Sequence, residues 1–190
     1  MNVTFLNPFV EAANEVLRAE AQLSLTRGNL SLQKSALTTD DVTVLISIVG
    51  HVQGVVLYSL SNATGLALVS RMMSQEFVEF DSLAQSGVAE LGNVITGRAG
   101  VKLSEAGYES TISPPTLIQG KGVAVSTLDF SRIVVPLTCE LGEIVVHLAV
   151  RENRAEGRDA NFTPIMAAEA GEAGTGGVPA VLAALGGESR

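Results

Sequence analysis

Residues 86–100 read SGVAELGNVITGRAG and lie in the longest predicted helix of the chain, from about Ser82 to Ala106. The segment contains four glycines, and each costs roughly 1 kcal/mol in a helix interior because glycine has more backbone freedom to lose on folding. A total of about 4 kcal/mol is a large share of the stability of a typical domain. The glycines therefore predict that another backbone approaches this helix closely.

The same helix separates an apolar face from a polar pair, Glu90 and Asn93. At about 100° per residue, one group of apolar side chains forms a stripe that we expect to face the core. This stripe consists of Ala84, Val88, Leu91, Ile95 and Ala99. The side away from it groups Glu90 and Asn93 with Ser86, Gly97 and an apolar rim of Leu83, Val94 and Val101. A carboxylate and an amide beside small and apolar residues predict an interaction surface.

Outside this helix, the sequence predicts two further helices and several strands. The first helix is expected to begin at Asn7-Pro8, with Asn7 as its N-cap, and to be ended by TRGNL. A shorter helix is expected at about 62–76, capped by Ser61 or Asn62, and Asp81 precedes the long helix. The strand-like runs are NLSLQKSAL, DVTVLISIVG and VQGVVLYSL before these two helices, and YESTIS, GVAVSTLDF, SRIVVPLTCE and GEIVVHLAVRE after them.

Each half of the chain ends in a predicted β-hairpin, the first turning at GHVQG and the second at Leu141-Gly142. Gly54 and Gly142 each precede a strongly apolar strand as turn glycines and lie 88 residues apart. This similarity suggests an internal duplication in which a helix followed by strands occurs twice. The run EIVVHLAV is apolar on both faces, which predicts a central position in the sheet.

Composition excludes several classes of function. The net charge of −8 argues against a nucleic-acid partner, whose phosphates would be repelled. No basic and apolar leader opens the chain and no apolar window is long enough to span a bilayer, so we expect a cytoplasmic protein without a membrane segment. Residues 1–152 are expected to form the folded domain, and the Gly- and Ala-rich residues 153–190 a flexible tail.

The sequence gives little indication of a metal site or of a catalytic nucleophile. His51 in a turn and His147 in an apolar strand are expected to be hydrogen-bonded structural residues, because no cluster of acidic ligands accompanies them. Cys139 is the only cysteine and is interpreted as a small core residue. The chain has no phosphate-binding loop of the GxxxxGK[ST] kind. We therefore expect no cofactor on this chain.

A second Glu-x-x-Asn pattern occurs at Glu11 and Asn14, in the first predicted helix. That helix reads FVEAANEVLRAEA and lacks the glycines that surround the later pair. The first copy is therefore interpreted as an ordinary helix surface, and a second functional site at these residues stays an open alternative.

Together these features resemble the CheC/CheX/FliY family of chemotaxis phosphatases, and its CheX type most. The start MNVTFLNPFVEAANEV is similar to the N-terminal segment and first helix of that family. The long helix matches the family pattern of Asp or Ser, three residues, Glu, two residues and Asn, at Ser86, Glu90 and Asn93. A proline follows in that pattern, and here Pro114-Pro115 supplies it. The resemblance does not extend to the expected tail, residues 153–190.

The resemblance implies an α+β fold of two related halves, in which a β-sheet packs against long helices. It implies a homodimeric phosphatase that hydrolyses the aspartyl phosphate of a CheY-like response-regulator receiver domain, with Mg²⁺ bound to the receiver. Asn93 would orient the attacking water, and Glu90 would pair with a lysine of the receiver. The receiver would contact Ser86, Leu83, Val94, Gly97 and Val101.

Two other functions are compatible with the same residues. The chain could be a non-catalytic module that binds a receiver or a flagellar-switch component through the apolar rim. Alternatively, it could be a structural homodimer in which the long helix packs against its twin and the glycines serve the helix crossing.

Overall fold

The computed structural model of the chain describes residues 5–34, 37–127 and 131–153, so the expected tail lies outside the described residues except for Asn153. The helices are α1 (Leu6–Ala21), α2 (Asn62–Met73) and α3 (Ser82–Glu105). The strands are β1 (Thr26–Arg27), β2 (Ser31–Gln33), β3 (Leu37–Thr38), β4 (Val42–Gly50), β5 (Val52–Leu60), β6 (Ser110–Ile112), β7 (Thr116–Gln119), β8 (Ala124–Val125), β9 (Arg132–Cys139) and β10 (Gly142–Glu152). Among the described residues, no helix combines the length and apolar character needed to cross a bilayer.

Eight of the strands form one antiparallel sheet in the order β1-β9-β10-β5-β4-β6, with β2 also paired to β9 and β7 also paired to β4. The hairpins β4–β5 and β9–β10 meet at the centre, where β5 pairs with β10. Of the short strands after α1, β1 and β2 pair with β9 of the second hairpin, and of those after α3, β6 and β7 pair with β4 of the first. The remaining two, β3 and β8, pair with each other in a separate two-stranded sheet. This exchange between two equivalent halves confirms the predicted α+β fold and the central position of EIVVHLAV.

The helices cover one face of the sheet and form a single core with it. Alternate residues of the central strands point towards the helices and are fully or nearly fully buried: Val44, Ile46, Val56, Tyr58, Val146 and Leu148. α3 packs against β4, α1 and α2. On the surface, Lys102 of α3 contacts Glu11 and Glu15 of α1 at 3.5 and 2.7 Å, and Arg98 contacts Glu15 at 3.8 Å. Residues later in α1 thus contact residues earlier in α3, which shows that the two helices run antiparallel.

The ends of α1 differ from the sequence prediction. Phe5, not Asn7, is the N-cap, and it makes no side-chain capping bond. Phe5 is buried and its ring meets Tyr108 edge-on at a centroid distance of 5.0 Å, so apolar packing fixes this end of the helix. α1 already ends at Ala21, where Gln22 adopts a left-handed conformation, and part of TRGNL forms β1.

The prediction that Gly54 belongs to a turn is wrong. The chain turns at His51, and Gly54 lies inside β5 opposite Val150 of β10. Its φ of 144° and the carbonyl of Ala149, with which a Cβ would collide, explain why glycine is needed there. The duplication is therefore seen in the strand pairing rather than in two equivalent turn glycines.

Short strands were predicted less well than the hairpins. NLSLQKSAL and GVAVSTLDF were expected as continuous strands, and in the part of these runs that the structure describes they form β2, β3 and β8, while β7 was not predicted. α2 is capped by Ser61, whose Oγ accepts the Thr64 N–H at 3.1 Å, and it ends at Met73, three residues before the expected Glu76.

Candidate active site on helix α3

Helix α3 is fixed at its start by Asp81, whose Oδ1 accepts the backbone N–H of Ala84 at 2.8 Å. All five residues of the predicted apolar stripe are buried, which confirms the orientation of the helix. Three further residues of α3 are buried, Gly92, Thr96 and Leu103, and the first two extend this face towards the sheet. The helix therefore turns its opposite side, with Glu90, away from the core.

The four glycines of α3 divide into two kinds. A Cβ on Gly87 would lie 2.9 Å from Cγ1 of Val69 in α2, and a Cβ on Gly92 would lie 2.9 Å from Cγ1 of Val44 in β4. These two glycines let α3 pack closely against α2 and the sheet, so their partner is the chain's own interior. A Cβ on Gly97 would meet only Ile112 Cδ1 at 4.0 Å, and one on Gly100 would meet nothing within 4 Å.

Glu90 and Asn93 lie side by side on the outer surface of α3. Asn93 Nδ2 donates a hydrogen bond to Glu90 Oε2 at 3.3 Å, and Glu90 is exposed while Asn93 is half-buried. One turn earlier, the exposed Ser86 donates from Oγ to the Ser82 carbonyl at 2.8 Å. Because the amide NH₂ of Asn93 is directed at a carboxylate, its Oδ1 remains the group that accepts a hydrogen bond from outside.

The predicted apolar rim is exposed beside this pair. Leu83, Val94 and Val101 retain 45%, 39% and 53% of their accessible surface. Large aliphatic side chains in solvent around an amide and a carboxylate form a surface suited to a protein partner. When a protein partner binds there, the amide and the carboxylate can contact a reactive group on that partner.

The earlier Glu-x-x-Asn copy has a different setting. Asn14 Oδ1 accepts the backbone N–H of Leu25 at 3.1 Å and so holds the segment that follows α1. Glu11 lies 3.5 Å from Lys102, which is bonded more closely to Glu15, and the Lys102 hydrogen bond lowers the pKa of Glu15. Both side chains of this copy thus contact other parts of the chain, whereas Asn93 and Glu90 contact each other.

The histidines lie away from this surface. His51 Nδ1 donates to the Gly107 carbonyl at 3.3 Å, as expected for a structural residue. His147 is buried, and its Nδ1 has no hydrogen-bond partner among the described residues, so the expectation that it is hydrogen-bonded is not met at this atom. Burial, and secondarily the charge of Arg132, lowers its pKa to about 4. Among the described residues, no group of three or more His, Cys, Asp or Glu side chains could hold a metal ion.

Sequence reasoning missed two buried hydroxyl groups, one on α3 and one on the sheet beneath it. Thr96 Oγ1 donates to the Gly92 carbonyl at 2.7 Å and lies 2.9 Å from the Tyr58 hydroxyl of β5. A polar residue on the core face of a helix is the signal that could have drawn attention to Thr96.

Comparisons with known proteins agree with this architecture. A CheC-like superfamily protein from Shewanella sp. PV-4 has a similar structure, with a TM-score of 0.73 and 29% identity over 80% of this chain and 99% of the other. A CheX from Borrelia burgdorferi, solved in a CheX-CheY-BeF3-Mg²⁺ complex, gives a TM-score of 0.66 and 27% identity over 80% of this chain and all of the matched chain. The fold is thus that of a CheC-like protein.

The family assignment is narrower than this class. The chain is 29% identical to the CheY-P phosphatase CheX of Thermotoga maritima over 67% of its own length and 83% of that protein. The family model for the chemotaxis phosphatase CheX matches residues 42–138, slightly more than half of the chain. The chain therefore belongs to the CheX family of chemotaxis phosphatases, which confirms the predicted family and its hydrolase class. The matched range includes Glu90 and Asn93 but not Glu11 and Asn14.

Proposed function

We propose that this protein hydrolyses the aspartyl phosphate of a CheY-like receiver domain docked on α3. The observation that supports this most strongly is the hydrogen-bonded pair of Glu90 and Asn93 on the outer surface of α3, within the region matched by the CheX family. The similar Borrelia protein was solved in complex with CheY, which supports a receiver as the partner. The proposed site of action is the cytoplasm.

Asn93 is the proposed catalytic residue. Phosphoryl transfer depends on positioning the nucleophile and stabilising charge, because the protein itself performs little covalent chemistry. The Oδ1 atom of Asn93 would accept a hydrogen bond from a water held in line with the phosphorus atom. Attack by this water breaks the bond between phosphorus and the aspartyl oxygen, releasing inorganic phosphate and an aspartate carboxylate. An uncharged amide suits this position because it brings no negative charge near the phosphoryl oxygens.

Glu90 would serve both the free and the docked protein. Before docking, its Oε2 accepts the Asn93 NH₂, which orients the amide. A carboxylate has two oxygens, so Glu90 can keep this bond and accept from a lysine of the receiver with the other. A carboxylate near a phosphate is unfavourable unless a cation lies between them, and the receiver lysine would supply that cation. Any Mg²⁺ needed belongs to the receiver.

The surface around the pair would dock the receiver backbone and side chains. Leu83, Val94 and Val101 would provide apolar contacts, since their exposure lets them lose water on binding. Gly97 and Ser86, on the same side as Glu90, would let the partner approach. A homodimer is also proposed, following the family resemblance.

The experiment is phosphate release from a phosphorylated CheY-like receiver, measured with and without the full chain. Acceleration well above the receiver's own rate is the expected result. Binding without acceleration would replace the proposal with the non-catalytic module, and neither binding nor acceleration would reject a receiver as the partner. Asn14→Ala, in the earlier Glu-x-x-Asn copy, is the control variant. It is expected to retain full activity, because the Asn14 side chain accepts the Leu25 backbone N–H and so has a structural contact within the chain.

A further inference from the structure

A short chain of hydrogen bonds connects the sheet to the turn of α3 that carries Asn93. The Tyr58 hydroxyl of β5 lies 2.9 Å from Thr96 Oγ1, and Thr96 Oγ1 lies 2.7 Å from the Gly92 carbonyl. Tyr58 retains 3% and Thr96 none of its accessible surface. Apolar residues, among them Val44, Leu91 and Ile95, form the core around them, so these polar groups lie in a region where hydrogen bonds are strong and unpaired groups are costly.

The atoms involved determine which group donates and which accepts in each of these hydrogen bonds. A carbonyl oxygen only accepts, so Thr96 uses its single hydroxyl proton to donate to Gly92. Thr96 Oγ1 must therefore accept from Tyr58, whose hydroxyl is the donor at the start of the chain. Burial raises the pKa of Tyr58, which keeps this donor protonated.

The chain of hydrogen bonds ends at the Gly92 carbonyl, which belongs to the peptide group that joins Gly92 to Asn93. The same turn is pressed against the sheet, because a Cβ on Gly92 would lie 2.9 Å from Val44 Cγ1 and 3.3 Å from Tyr58 Cδ2. Close packing restricts the height of the turn above the sheet. Directional hydrogen bonds from a central strand add resistance to sliding and rotation of this turn.

We propose that Tyr58 and Thr96 are positioning residues, which hold the α3 turn so that Asn93 presents its amide to the receiver's phosphoryl group. The inference rests on the proposed phosphatase function. Misplacing a catalytic group by about 1 Å lowers a rate on the order of a hundredfold, so loosening this turn affects catalysis more than docking. The docking residues on the outer surface of α3 make no hydrogen bond to Tyr58 or Thr96.

The test compares Tyr58→Phe and Thr96→Val with Thr43→Val. Thr43 Oγ1 and Ser59 Oγ form a buried hydroxyl pair of 2.8 Å from the same central strands, but both side chains point to the sheet face opposite α3. Tyr58→Phe and Thr43→Val each remove one buried hydroxyl and leave its partner in place. We expect comparable losses of stability, but a kcat lowered about tenfold or more only in Tyr58→Phe and Thr96→Val, with KM changed less than about twofold.

Two further measurements separate positioning from general destabilisation. In an Asn93→Ala background, Tyr58→Phe should lower kcat no further, since its effect acts through Asn93. The side-chain amide NMR signals of Asn93 should shift in Tyr58→Phe and stay unchanged in Thr43→Val. If Tyr58→Phe leaves both kcat and these signals as in the wild type, or if Thr43→Val lowers kcat equally, the positioning role is wrong. Should the wild type release no phosphate, the proposed function fails, while the NMR comparison still tests the positioning.

Discussion

Replacing Gly92 by alanine tests how tightly α3 is held against the sheet. The new Cβ would lie 2.9 Å from Val44 Cγ1, where ordinary contact begins at 3.4 Å, so the helix or the strand must move by about 0.5 Å. Val44 is β-branched and fully buried, which leaves it little freedom to turn aside. Overpacking of this kind destabilises a core by about 1–3 kcal/mol.

Gly100→Ala is the matched control in the same helix. Both substitutions gain about 1 kcal/mol of helix propensity, but a Cβ on Gly100 meets nothing within 4 Å. Gly100→Ala is therefore expected to stabilise the protein by up to about 1 kcal/mol. Since the propensity gain cancels between the two variants, Gly92→Ala should be less stable than Gly100→Ala by about 1–3 kcal/mol.

The assay is urea unfolding followed by circular dichroism, with both variants and the wild type compared at unchanged m-value. Gly92→Ala should also lower kcat, because the displaced turn carries Asn93 away from its position. Equal stability of Gly92→Ala and Gly100→Ala would show that α3 does not press on β4 as described.

Three further predictions concern other parts of the molecule. His147 has a pKa of about 4 in the folded protein and about 6.5 in the unfolded chain, so the unfolded chain takes up the proton first as the pH falls. The contribution of neutral His147 to the free energy of unfolding is therefore complete above about pH 6.5 and is lost towards pH 4, roughly 3 kcal/mol in all. Urea midpoints from pH 7.5 to 4.5 should therefore fall less steeply in His147→Leu than in the wild type, and parallel curves would contradict the shift. Gly97→Leu should raise KM for the phosphorylated receiver several-fold without changing the oligomeric state, whereas loss of a dimer in size-exclusion chromatography would favour a helix-packing role. Glu90→Gln should weaken receiver binding, measured by titration calorimetry, while retaining the fold, and unchanged affinity would argue against a pair with the receiver lysine.

The elements that the sequence predicted well are those set by local patterns. The start of α3 at Ser82 follows from the Asp81 cap, and its buried stripe follows from the helical spacing of five apolar residues. The two central hairpins follow from long apolar strands separated by short turns. The exposure of Glu90 beside Val94 follows from the same helical geometry.

The elements that the sequence predicted poorly depend on distant partners. Gly54 lies inside a strand because the Ala149 carbonyl of β10 approaches it, a neighbour far away along the chain. Phe5 fixes the start of α1 through Tyr108, where a capping rule favoured Asn7. The role of Thr96 likewise requires Tyr58, which no helical pattern can reveal.

The same limit applies to the two Glu-x-x-Asn copies. Both have Glu and Asn at the same spacing, and the sequence separated them by the glycines and the apolar rim near Asn93. The structure separates them by contacts, since Asn14 bonds to the Leu25 backbone while Asn93 bonds to Glu90 on the outer surface of α3.

The central claim is that the Asn93 amide directs water onto a phosphoryl group carried by another protein. The most direct measurement is the kcat of Asn93→Ala for phosphate release, taken at concentrations where the phosphorylated receiver is fully bound. We predict a fall of about a hundredfold or more with a receiver affinity within about twofold of the wild type, because the side chain acts on the water and not on docking. A kcat equal to that of the wild type in the folded, receiver-bound variant would contradict the account.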